Sequence, residues 1–444
     1  MDSIITDSSF DNIKQSLDLE VSKRQVLMIA YYFPPMGLSG VQRTLKFVKY
    51  LPEYNWNPII LTTGSTKYYA FDDTLMQDVG ENVKIYRTEY DPFNKKNKED
   101  NKQVKYPSRF KQVLFRILSQ SVYIPDSRIK WKKHAVKLGS KIIEENPDIK
   151  VIYATAPPYT DFLVAKELSL KYNIPFVIDY RDLWLDNPYF YFVTPYHKNK
   201  AVSLETSVLR YSQKAFVITR ELKEKMLKRY NFLSHNDLRI LPHGFDEEDF
   251  IPYKNIKPVP NQFTLTHSGV FSDDITPKYF LKAVAKFLEK NEEARRYINL
   301  KFVGLMRQQH IKLIDKLKLT SYTTLLDYIP HNEVIKHLME ANVLWMMIPN
   351  DIATPSRFYE YMGARRNLLV CAPEGGIRNI AKEYNAALIC GPKNVNEITA
   401  AIDKFYNMWK SNNMFVPNEK FVQQFDRHRI TSILAKELSL ASRM

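Results

Sequence analysis

Residues 353–363 carry the side chains of this chain that are best suited to binding a diphosphate. They read ATPSRFYEYMG, and Thr354 followed by Pro355 predicts a helix with Thr354 as its N-cap. The positive end of the helix dipole and the Arg357 guanidinium both attract phosphate oxygens, and Glu360, one turn further on, can accept hydrogen bonds from sugar hydroxyls. The alternative is an ordinary surface helix on which Arg357 and Glu360 form an ion pair.

A second candidate anion site lies at residues 26–43, which read VLMIAYYFPPMGLSGVQR. The continuous apolar run predicts a parallel strand that is covered on both faces and ends before Pro34–Pro35. Gly37 and Gly40 then allow the backbone to approach a ligand closely, and a helix expected from about Val41 offers free N–H groups. The GxxG spacing is not the GxGxxG of a dinucleotide site, and an ordinary strand–helix turn is the alternative.

The elements that must position these side chains alternate between strand and helix. Helix-length amphipathic segments separate the apolar runs. The runs predicted to be strands are 26–31, 58–62, 83–86, 149–154, 175–179, 215–218, 238–241, 263–269, 299–304, 323–326, 343–348, 367–371 and 387–390. We therefore predict an α/β protein with two Rossmann-like parallel sheets that face one another across a ligand-binding cleft.

A Pro-rich stretch at 251–261 predicts the boundary between the two domains. The predicted division has a loosely tied N-terminal extension at 1–23, an N-terminal domain at 24–245, a linker at 246–262, a C-terminal domain at 263–415 and a helix at 416–444 that packs back on the N-terminal domain.

The composition excludes several classes of protein. The 444 residues, 45% of them hydrophobic, suffice for two domains of about 200 residues each. Cys371 and Cys390 are the only cysteines, so neither a disulfide framework nor a zinc site is expected. No apolar secretion signal and no run near the roughly 18 apolar residues of a spanning helix is present, so we expect a cytoplasmic location.

The net charge of +15 is concentrated at 102–141. This segment has eleven basic residues and one acidic residue, and apolar side chains are interspersed among them. Such a region fits an anionic membrane surface. The membrane contacts that we expect are Lys111, Arg116, Lys130, Lys132 and Lys133. A solvated lysine-rich face is the alternative, and nucleic acid is not an expected partner because no RNA- or DNA-binding motif is present.

The turn at 179–182, DYRD, follows an apolar strand and therefore lies at the cleft edge of the N-terminal sheet. Arg181 and Asp182 are candidates for contact with an acceptor substrate, and a local ion pair is the alternative. His243, at the expected crossover between the domains, is interpreted as a structural or hinge residue rather than a base. No DxD metal motif occurs in a suitable loop, so no metal is expected.

Six segments together resemble glycosyltransferase family 4, whose members have the GT-B fold. They are the two segments above with ATAPPYT at 154–160, DYRDLW at 179–184, LPHGFD at 241–246 and HSGVF at 267–271. The resemblance spans about residues 24–415. It implies a retaining, metal-independent hexosyltransferase that moves a sugar from a nucleotide-sugar donor to a glycan or lipid-linked acceptor in bacterial surface-polysaccharide biosynthesis, on the inner face of the plasma membrane.

The resemblance assigns roles to particular residues. Glu360 matches the second Glu of an E-x7-E motif and would hold the donor ribose, but Ile352 stands at the position of the first Glu. Asp273 and Asp274 stand where the family places a basic residue, and Arg307 is expected to supply that charge. The implied donor-binding residues are Gly37, Gly40, Gly269, Arg307, Thr354, Ser356, Arg357 and Glu360, with Arg365 a further candidate for charge stabilisation. The implied catalytic residues are Arg357, Glu360 and Asp182.

Two other functions are consistent with parts of this pattern. A nucleotide-sugar 2-epimerase of the same fold would need a cluster of carboxylates in the cleft. A non-catalytic protein that binds membranes or polyanions would not need donor-loop signals in both domains.

Overall fold

The computed structural model describes residues 24–37, 39–64, 68, 70–89, 109–187, 190–271 and 275–443. The predicted extension at 1–23, the start of the basic region at 102–108 and the pair Asp273–Asp274 lie outside the described residues.

The first half of the chain forms a seven-stranded parallel sheet in the order β3-β2-β1-β4-β5-β6-β7. Its strands are β1 Arg24–Ile29, β2 Trp56–Thr63, β3 Lys84–Thr88, β4 Ile149–Ala156, β5 Phe176–Tyr180, β6 Lys214–Val217 and β7 Leu238–Ile240. The helices between them are α1 Ser39–Tyr50, α2 Arg109–Val122, α3 Trp131–Glu145, α4 Thr160–Tyr172, α5 Pro195–Tyr211 and α6 Arg220–Arg229. Alternate residues of β1 enter separate apolar clusters on the two faces of the sheet, so both faces are covered.

The second half forms a six-stranded parallel sheet in the order β10-β9-β8-β11-β12-β13. Its strands are β8 Phe263–Ser268, β9 Ile298–Val303, β10 Thr323–Leu326, β11 Val343–Met347, β12 Asn367–Cys371 and β13 Ala387–Cys390. The helices of this half are α7 Glu247–Phe250, α8 Lys278–Lys290, α9 Gln308–Lys316, α10 His331–Met339, α11 Ser356–Gly363, α12 Gly376–Tyr384, α13 Val395–Lys410, α14 Glu419–Val422 and α15 Arg427–Ala441.

The predicted fold class is confirmed, and each predicted strand lies within two residues of an observed one. In the described ranges, six short 3-10 turns complete the regular structure. They are Leu51–Tyr54, Asp73–Asp78, Ile251–Tyr253, Glu293–Arg296, Thr320–Tyr322 and Gln423–Phe425. Among the described residues, no helix is both long and apolar enough to cross a membrane.

The last helix of the chain packs on the N-terminal sheet. Ile430, Leu434 and Leu438 of α15 are fully buried in the same apolar cluster as Val26 and Met28 of β1. The chain therefore crosses between the halves twice, once before α7 and once before α15. Each crossing joins residues of both halves at the base of the cleft.

Each sheet has a switch point, where the strand order reverses from the first strand. In the N-terminal sheet it lies between β1 and β4, and in the C-terminal sheet between β8 and β11. Ligands of open parallel sheets bind beyond the carboxyl ends of the strands at such points. The loop that contains Gly37 follows β1, and Gly269 follows β8 directly, so both predicted glycine turns lie at switch points.

Candidate active site

Gly269 and Arg357 meet at the end of β8. The Arg357 Nη1 donates a hydrogen bond to the carbonyl oxygen of Ser268 at 2.8 Å. Gly269 has φ +110°, and a β-carbon at this position would lie 2.0 Å from Arg357 Nη1. Only glycine leaves room for the guanidinium beside this backbone. Arg357 is therefore fixed at the switch point of the C-terminal sheet, where a phosphate can reach it.

Helix α11 begins one residue later than predicted. Ser356 is its first residue, and no side chain caps its N-terminus. The Thr354 hydroxyl instead donates to the carbonyl oxygen of Ile352 at 3.2 Å, so the predicted N-cap role of Thr354 is wrong. The preceding loop is held by Asn350, whose Oδ1 accepts from the backbone nitrogen of Ala353 at 2.8 Å, and this turn directs the Thr354 hydroxyl away from the helix.

Ile352, at the position of the absent first Glu, packs against the apolar cluster of the N-terminal domain. The side chain is partly buried and makes a contact between the two halves of the molecule. A carboxylate there would be desolvated by this apolar surface.

Glu360 is held by a residue that the sequence did not single out. His331, the first residue of α10, places its Nε2 at 3.3 Å from Glu360 Oε1. Burial lowers the pKa of His331, but Glu360 and Asp249 outweigh it and raise the pKa to about 9. His331 and Arg357 in turn hold the pKa of Glu360 below its usual range, against the effect of burial. An imidazolium and a carboxylate therefore face one another at neutral pH.

A cluster of charges extends from His331 to the N-terminal domain. The imidazole Nδ1 lies 3.9 Å from Asp249 Oδ2. Lys46 on α1 places its buried Nζ at 2.7 Å from both Asp249 and Asp246 and at 2.6 Å from Asp78. Burial raises the pKa of Asp246, but the contacts with Lys46 oppose this effect and help to hold that pKa at about 2. The ammonium group thus occupies the centre of three carboxylates whose spacing would otherwise suit a cation.

The glycine turn of the N-terminal domain contacts the C-terminal domain. Tyr328 follows β10, and a β-carbon at Gly37 would lie 2.1 Å from its hydroxyl oxygen. The backbone nitrogen of His331, three residues further on, donates to Asp72 Oδ2 at 2.9 Å. The two halves therefore meet directly beside Glu360.

Arg181 and Asp182 have different surroundings. The buried Arg181 donates from Nη1 to the carbonyl oxygen of Gly40 at 2.5 Å and from Nη2 to that of Pro157. Both terminal nitrogens donate to backbone carbonyls, so Arg181 joins α1 to the residue that follows β4. The acceptor contact of Arg181 stays a prediction. Asp182 lies at the surface, and desolvation of its carboxyl by the surrounding protein raises the pKa of this group. Asp182 remains the acceptor candidate.

Asp179 at the end of β5 belongs to the framework rather than to the cleft surface. Arg43 on α1 binds it with two hydrogen bonds, from Nε at 2.6 Å and from Nη2 at 2.9 Å. Neither residue has exposed surface. Arg43 also donates to the carbonyl oxygens of Leu241 and Pro242, which lead into the crossover between the domains.

The two further arginines proposed for charge stabilisation lie in different places. Arg307 comes three residues after Gly304, whose added β-carbon would lie 2.9 Å from the Gly269 carbonyl oxygen, so its loop borders the switch point. Arg365 binds Glu247 at 2.8 Å and Glu419 at 2.7 Å. The expectation that Arg365 stabilises a leaving group is therefore wrong, because two carboxylates already engage its guanidinium.

His243 is buried at the crossover, where burial and the neighbouring Arg43 lower its pKa well below the ordinary value. A neutral imidazole packed edge-on to the Tyr359 ring, with 6.2 Å between ring centroids, suits the predicted structural role.

Sequence reasoning missed His331 and Lys46. Lys46 had a signal, since it is the only charged position within the apolar run Leu45–Val48 of an expected helix.

The chain has the GT-B fold, with two Rossmann-like domains and Arg357 at the switch point of the second. Residues 252–421 match the family model of the glycosyl transferases group 1. The matched segment includes all six strands of the C-terminal sheet. No curated protein sequence matches it.

Three solved structures illustrate the similarity in fold. Sucrose-phosphate synthase from Thermosynechococcus elongatus is 14% identical with a TM-score of 0.66, and the match covers 94% of this chain and 98% of that one. HepE from Anabaena in complex with UDP-glucose is 14% identical with a TM-score of 0.62, covering 94% and 100%. A putative UDP-N-acetylglucosamine 2-epimerase from Listeria monocytogenes is 12% identical with a TM-score of 0.57, covering 95% and 98%. At these identities the likeness concerns the fold alone.

Proposed function

We propose that this protein is a retaining glycosyltransferase that moves a hexose from a nucleotide-sugar donor to a glycan or lipid-linked acceptor in cell-surface polysaccharide biosynthesis. The observation that carries the proposal is the placement of Arg357 and Glu360 on one helix beside Gly269, at the switch point of a group 1 glycosyltransferase domain. The binding of UDP-glucose by the structurally similar HepE supports a nucleotide-sugar as donor.

In this proposal each residue has a defined part. Arg357 and the uncapped N-terminus of α11 bind the donor diphosphate and stabilise the charge that develops on it as the bond from the sugar carbon to oxygen breaks. Glu360 accepts hydrogen bonds from the ribose hydroxyls. The acceptor hydroxyl, beside Asp182, forms the new bond on the face that the diphosphate leaves, and its proton passes to the departing phosphate oxygen. Binding both substrates in one cleft supplies the required orientation.

We propose that this chemistry needs no metal, because Arg357, the α11 N-terminus and the loop of Arg307 already supply positive charge at the switch point. The carboxylates Asp78, Asp246 and Asp249 are paired with the ammonium groups of Lys46 and Lys49. This pairing also argues against the epimerase, since the largest carboxylate cluster of the described cleft region is occupied by lysine ammonium groups.

The test combines nucleotide binding with two substitutions. We expect one nucleoside diphosphate from a panel of UDP, GDP, ADP and TDP to raise the melting temperature of the protein and to bind in calorimetry. Glu360→Ala and Arg357→Ala are expected to abolish sugar transfer and to weaken nucleotide binding by about 10- to 100-fold, as for loss of a charged hydrogen bond. Arg357→Ala should melt close to the wild type, because its side chain packs in no core. Glu360→Ala should stay folded but lose the part of the stability that its pair with His331 supplies.

Matched controls are Glu289→Ala and Arg296→Ala, on exposed positions of the same domain. Near-wild-type turnover of Glu360→Ala under both saturating and limiting donor would reject the assignment. Absence of any nucleotide response would favour the non-catalytic binding protein. Interconversion of UDP-N-acetylglucosamine with its 2-epimer would favour the epimerase.

We further propose that the N-terminal domain docks on anionic membrane lipid, which suits a lipid-linked acceptor and an enzyme on the inner face of the plasma membrane. An exposed apolar strip supports this proposal. Its members are Leu114, Leu118 and Val122 on α2 with Tyr191, Val193 and Tyr196 beside it, each between 40% and 70% exposed. Gln120 Oε1 accepts from the backbone nitrogen of Tyr191 at 2.6 Å and joins the two parts.

The predicted basic contacts differ in availability. Lys130 and Lys133 are exposed and follow the strip along the chain, whereas Lys132 forms an ion pair with Glu167. Arg116 is half-buried on α2, and the side chain of Lys111 lies outside the described residues. Each free lysine near an anionic surface contributes about 1 kcal/mol, and the apolar side chains add shallow insertion.

Co-sedimentation with vesicles tests the docking surface. We expect binding to phosphatidylglycerol vesicles but not to phosphatidylcholine vesicles, weaker binding at high salt, and loss of binding in Lys130→Glu with Lys133→Glu and in Leu118→Glu with Val122→Glu. Val416→Glu is the control, because Val416 is 77% exposed on the other half of the molecule. Unchanged binding by both double variants would show that this surface is only a solvated face.

A further inference from the structure

His331 links three parts of the molecule that come together only in the folded chain. Its imidazole faces Glu360 on α11, with 3.3 Å between Nε2 and Oε1. Its other ring nitrogen faces Asp249 on α7 at 3.9 Å. Its backbone nitrogen donates to Asp72 of the N-terminal domain at 2.9 Å. One residue at the start of α10 therefore contacts the donor-side carboxylate, the crossover segment and the opposite domain.

Asp72 is a rigid partner for this contact. Its side chain is buried, and its Oδ1 accepts from the backbone nitrogen of Thr74 at 3.1 Å and from the Thr74 hydroxyl at 2.5 Å. Tyr328 adds a second contact, against Gly37. The segment from Tyr328 to His331 is thus seated on the N-terminal domain at both of its ends.

Glu360 is held by one oxygen only. Within the described part of the chain, Oε1 accepts the hydrogen bond from His331 and no side chain donates to Oε2. The side chain keeps 16% of its surface exposed, so a hydroxyl group can approach it. A carboxylate fixed through one oxygen presents the other in a constant direction, which reduces the entropy lost when a diol binds.

We propose that His331 is a positioning residue, which orients Glu360 for the donor and makes donor binding depend on the placement of the two domains. This inference rests on the proposed function. The groups that face the imidazole are Glu360 from α11, Asp249 from α7 and Lys46 from α1. Asp72, directly before the 3-10 turn Asp73–Asp78, faces the backbone nitrogen of the same residue. Arg357 and Arg427 face Glu360 from its other sides.

The first experiment separates donor affinity from turnover. In His331→Ala we expect the KM for the donor and the Kd of the nucleoside diphosphate to rise about tenfold, while kcat at saturating donor changes less than about threefold, because the carboxylate is present but no longer oriented. His331→Gln, which keeps a hydrogen-bond donor without the charge, should recover part of the affinity at pH 7. Wild-type affinity should fall as the pH rises through about 9, and that fall should be absent in His331→Gln.

The control is His337→Gln on the same helix. His337 contacts Glu340, the residue directly after α10, with 2.8 Å between Nδ1 and Oε2. We expect the wild-type Kd from this variant. Circular dichroism and melting curves check that each variant is folded.

A double-mutant cycle on nucleotide Kd decides whether His331 acts through Glu360. In a Glu360→Ala background, His331→Ala should cause no further loss of affinity. Additive losses, an unchanged Kd in His331→Ala, or a pH profile of His331→Gln equal to that of the wild type would overturn the inference. Failure of the wild type to bind any nucleotide would instead refute the proposed function, so the two failures are distinguishable.

Discussion

Gly269 shows how a single missing side chain determines the site. Its φ of +110° is in the region that favours glycine, and the space of its absent β-carbon is occupied by the Arg357 guanidinium. The glycine therefore acts by leaving room for a cation rather than by flexibility. Tyr361, one turn beyond Arg357 on α11, accepts a hydrogen bond from the Ser268 nitrogen at 2.7 Å and holds the same turn from below.

Gly269→Ala is expected to displace Arg357 and to strain the backbone. We predict a loss of about 1 to 3 kcal/mol in unfolding free energy and a fall in nucleotide affinity that approaches that of Arg357→Ala. Urea denaturation and calorimetry measure the two effects. Gly80→Ala is the control, since its nearest neighbour would be Val83 at an ordinary 3.8 Å. Full nucleotide affinity in Gly269→Ala would show that Arg357 does not need this space.

At the scale of elements, α1 is held to the sheet by a buried ion pair. Arg43 joins this helix to Asp179 on β5 and to the backbone at Leu241 and Pro242. Tyr153 on β4 donates to the same carboxylate at 2.5 Å. This network fixes the position of the glycine turn before α1 relative to the crossover. One guanidinium thus joins the helix, the sheet and the crossover.

Arg43→Met is expected to destabilise the N-terminal domain by about 3 to 5 kcal/mol, because it leaves the Asp179 carboxylate buried without a counter-charge. The double variant Arg43→Met with Asp179→Asn should lose less stability than Arg43→Met alone, since neither charge of the pair remains buried. Urea denaturation followed by fluorescence compares these variants with Arg220→Met, whose side chain is 83% exposed. Equal stability of Arg43→Met and Arg220→Met would contradict the role given to this pair.

At the scale of the whole molecule, the cleft is closed at its base by charges from both halves. Lys46 and Lys49 on α1 face Asp246 and Asp249, which lie on the crossover segment. Tyr50 donates to Asp246 at 2.5 Å. Since both lysines lie on the N-terminal domain and two of their three carboxylates lie on the crossover segment, the relative placement of the domains and the stability of the cluster depend on one another.

Lys46→Met is expected to cost about 3 to 5 kcal/mol, because three carboxylates then lose their common cation. We also expect a larger radius of gyration in solution scattering, since like charges would separate the halves. Lys312→Met, at an exposed position of α9, provides the matched control. A Lys46→Met protein with the wild-type unfolding free energy and radius would refute this account.

The same region should give the molecule a pH dependence. Because the pKa of His331 is raised from 6.5 to about 9, the protonated imidazole stabilises the folded chain. This contribution is complete below pH 6.5 and is lost as the pH rises through about 9. We expect the unfolding free energy of the wild type to exceed that of His331→Gln by about 1 to 3 kcal/mol at pH 6, and this difference to be smaller at pH 10. Melting curves at these pH values measure the difference, and a constant difference would contradict the assignment.

The sequence by itself determined the strands, their parallel arrangement and the places of the two glycine turns. These features follow from patterns within a few residues: a continuous apolar run marks a strand covered on both faces, and a glycine after such a run marks a turn at a sheet edge. Arg357 and Glu360 were found in the same way, because one helix places them near one another.

Only the tertiary structure decided which partners these residues have. His331 and Glu360 are 29 positions apart, Arg43 and Asp179 are 136 apart, and Lys46 and Asp249 are 203 apart. No spacing along the chain encodes such pairs, since they form where separate strands and helices converge. The same convergence engages Arg181 with backbone carbonyls and Arg365 with two carboxylates, although both resembled free cations in the sequence. A charged side chain is available to a ligand only where the fold leaves it hydrogen-bonding atoms beyond those that its own partners use, and that is decided by packing across the whole molecule.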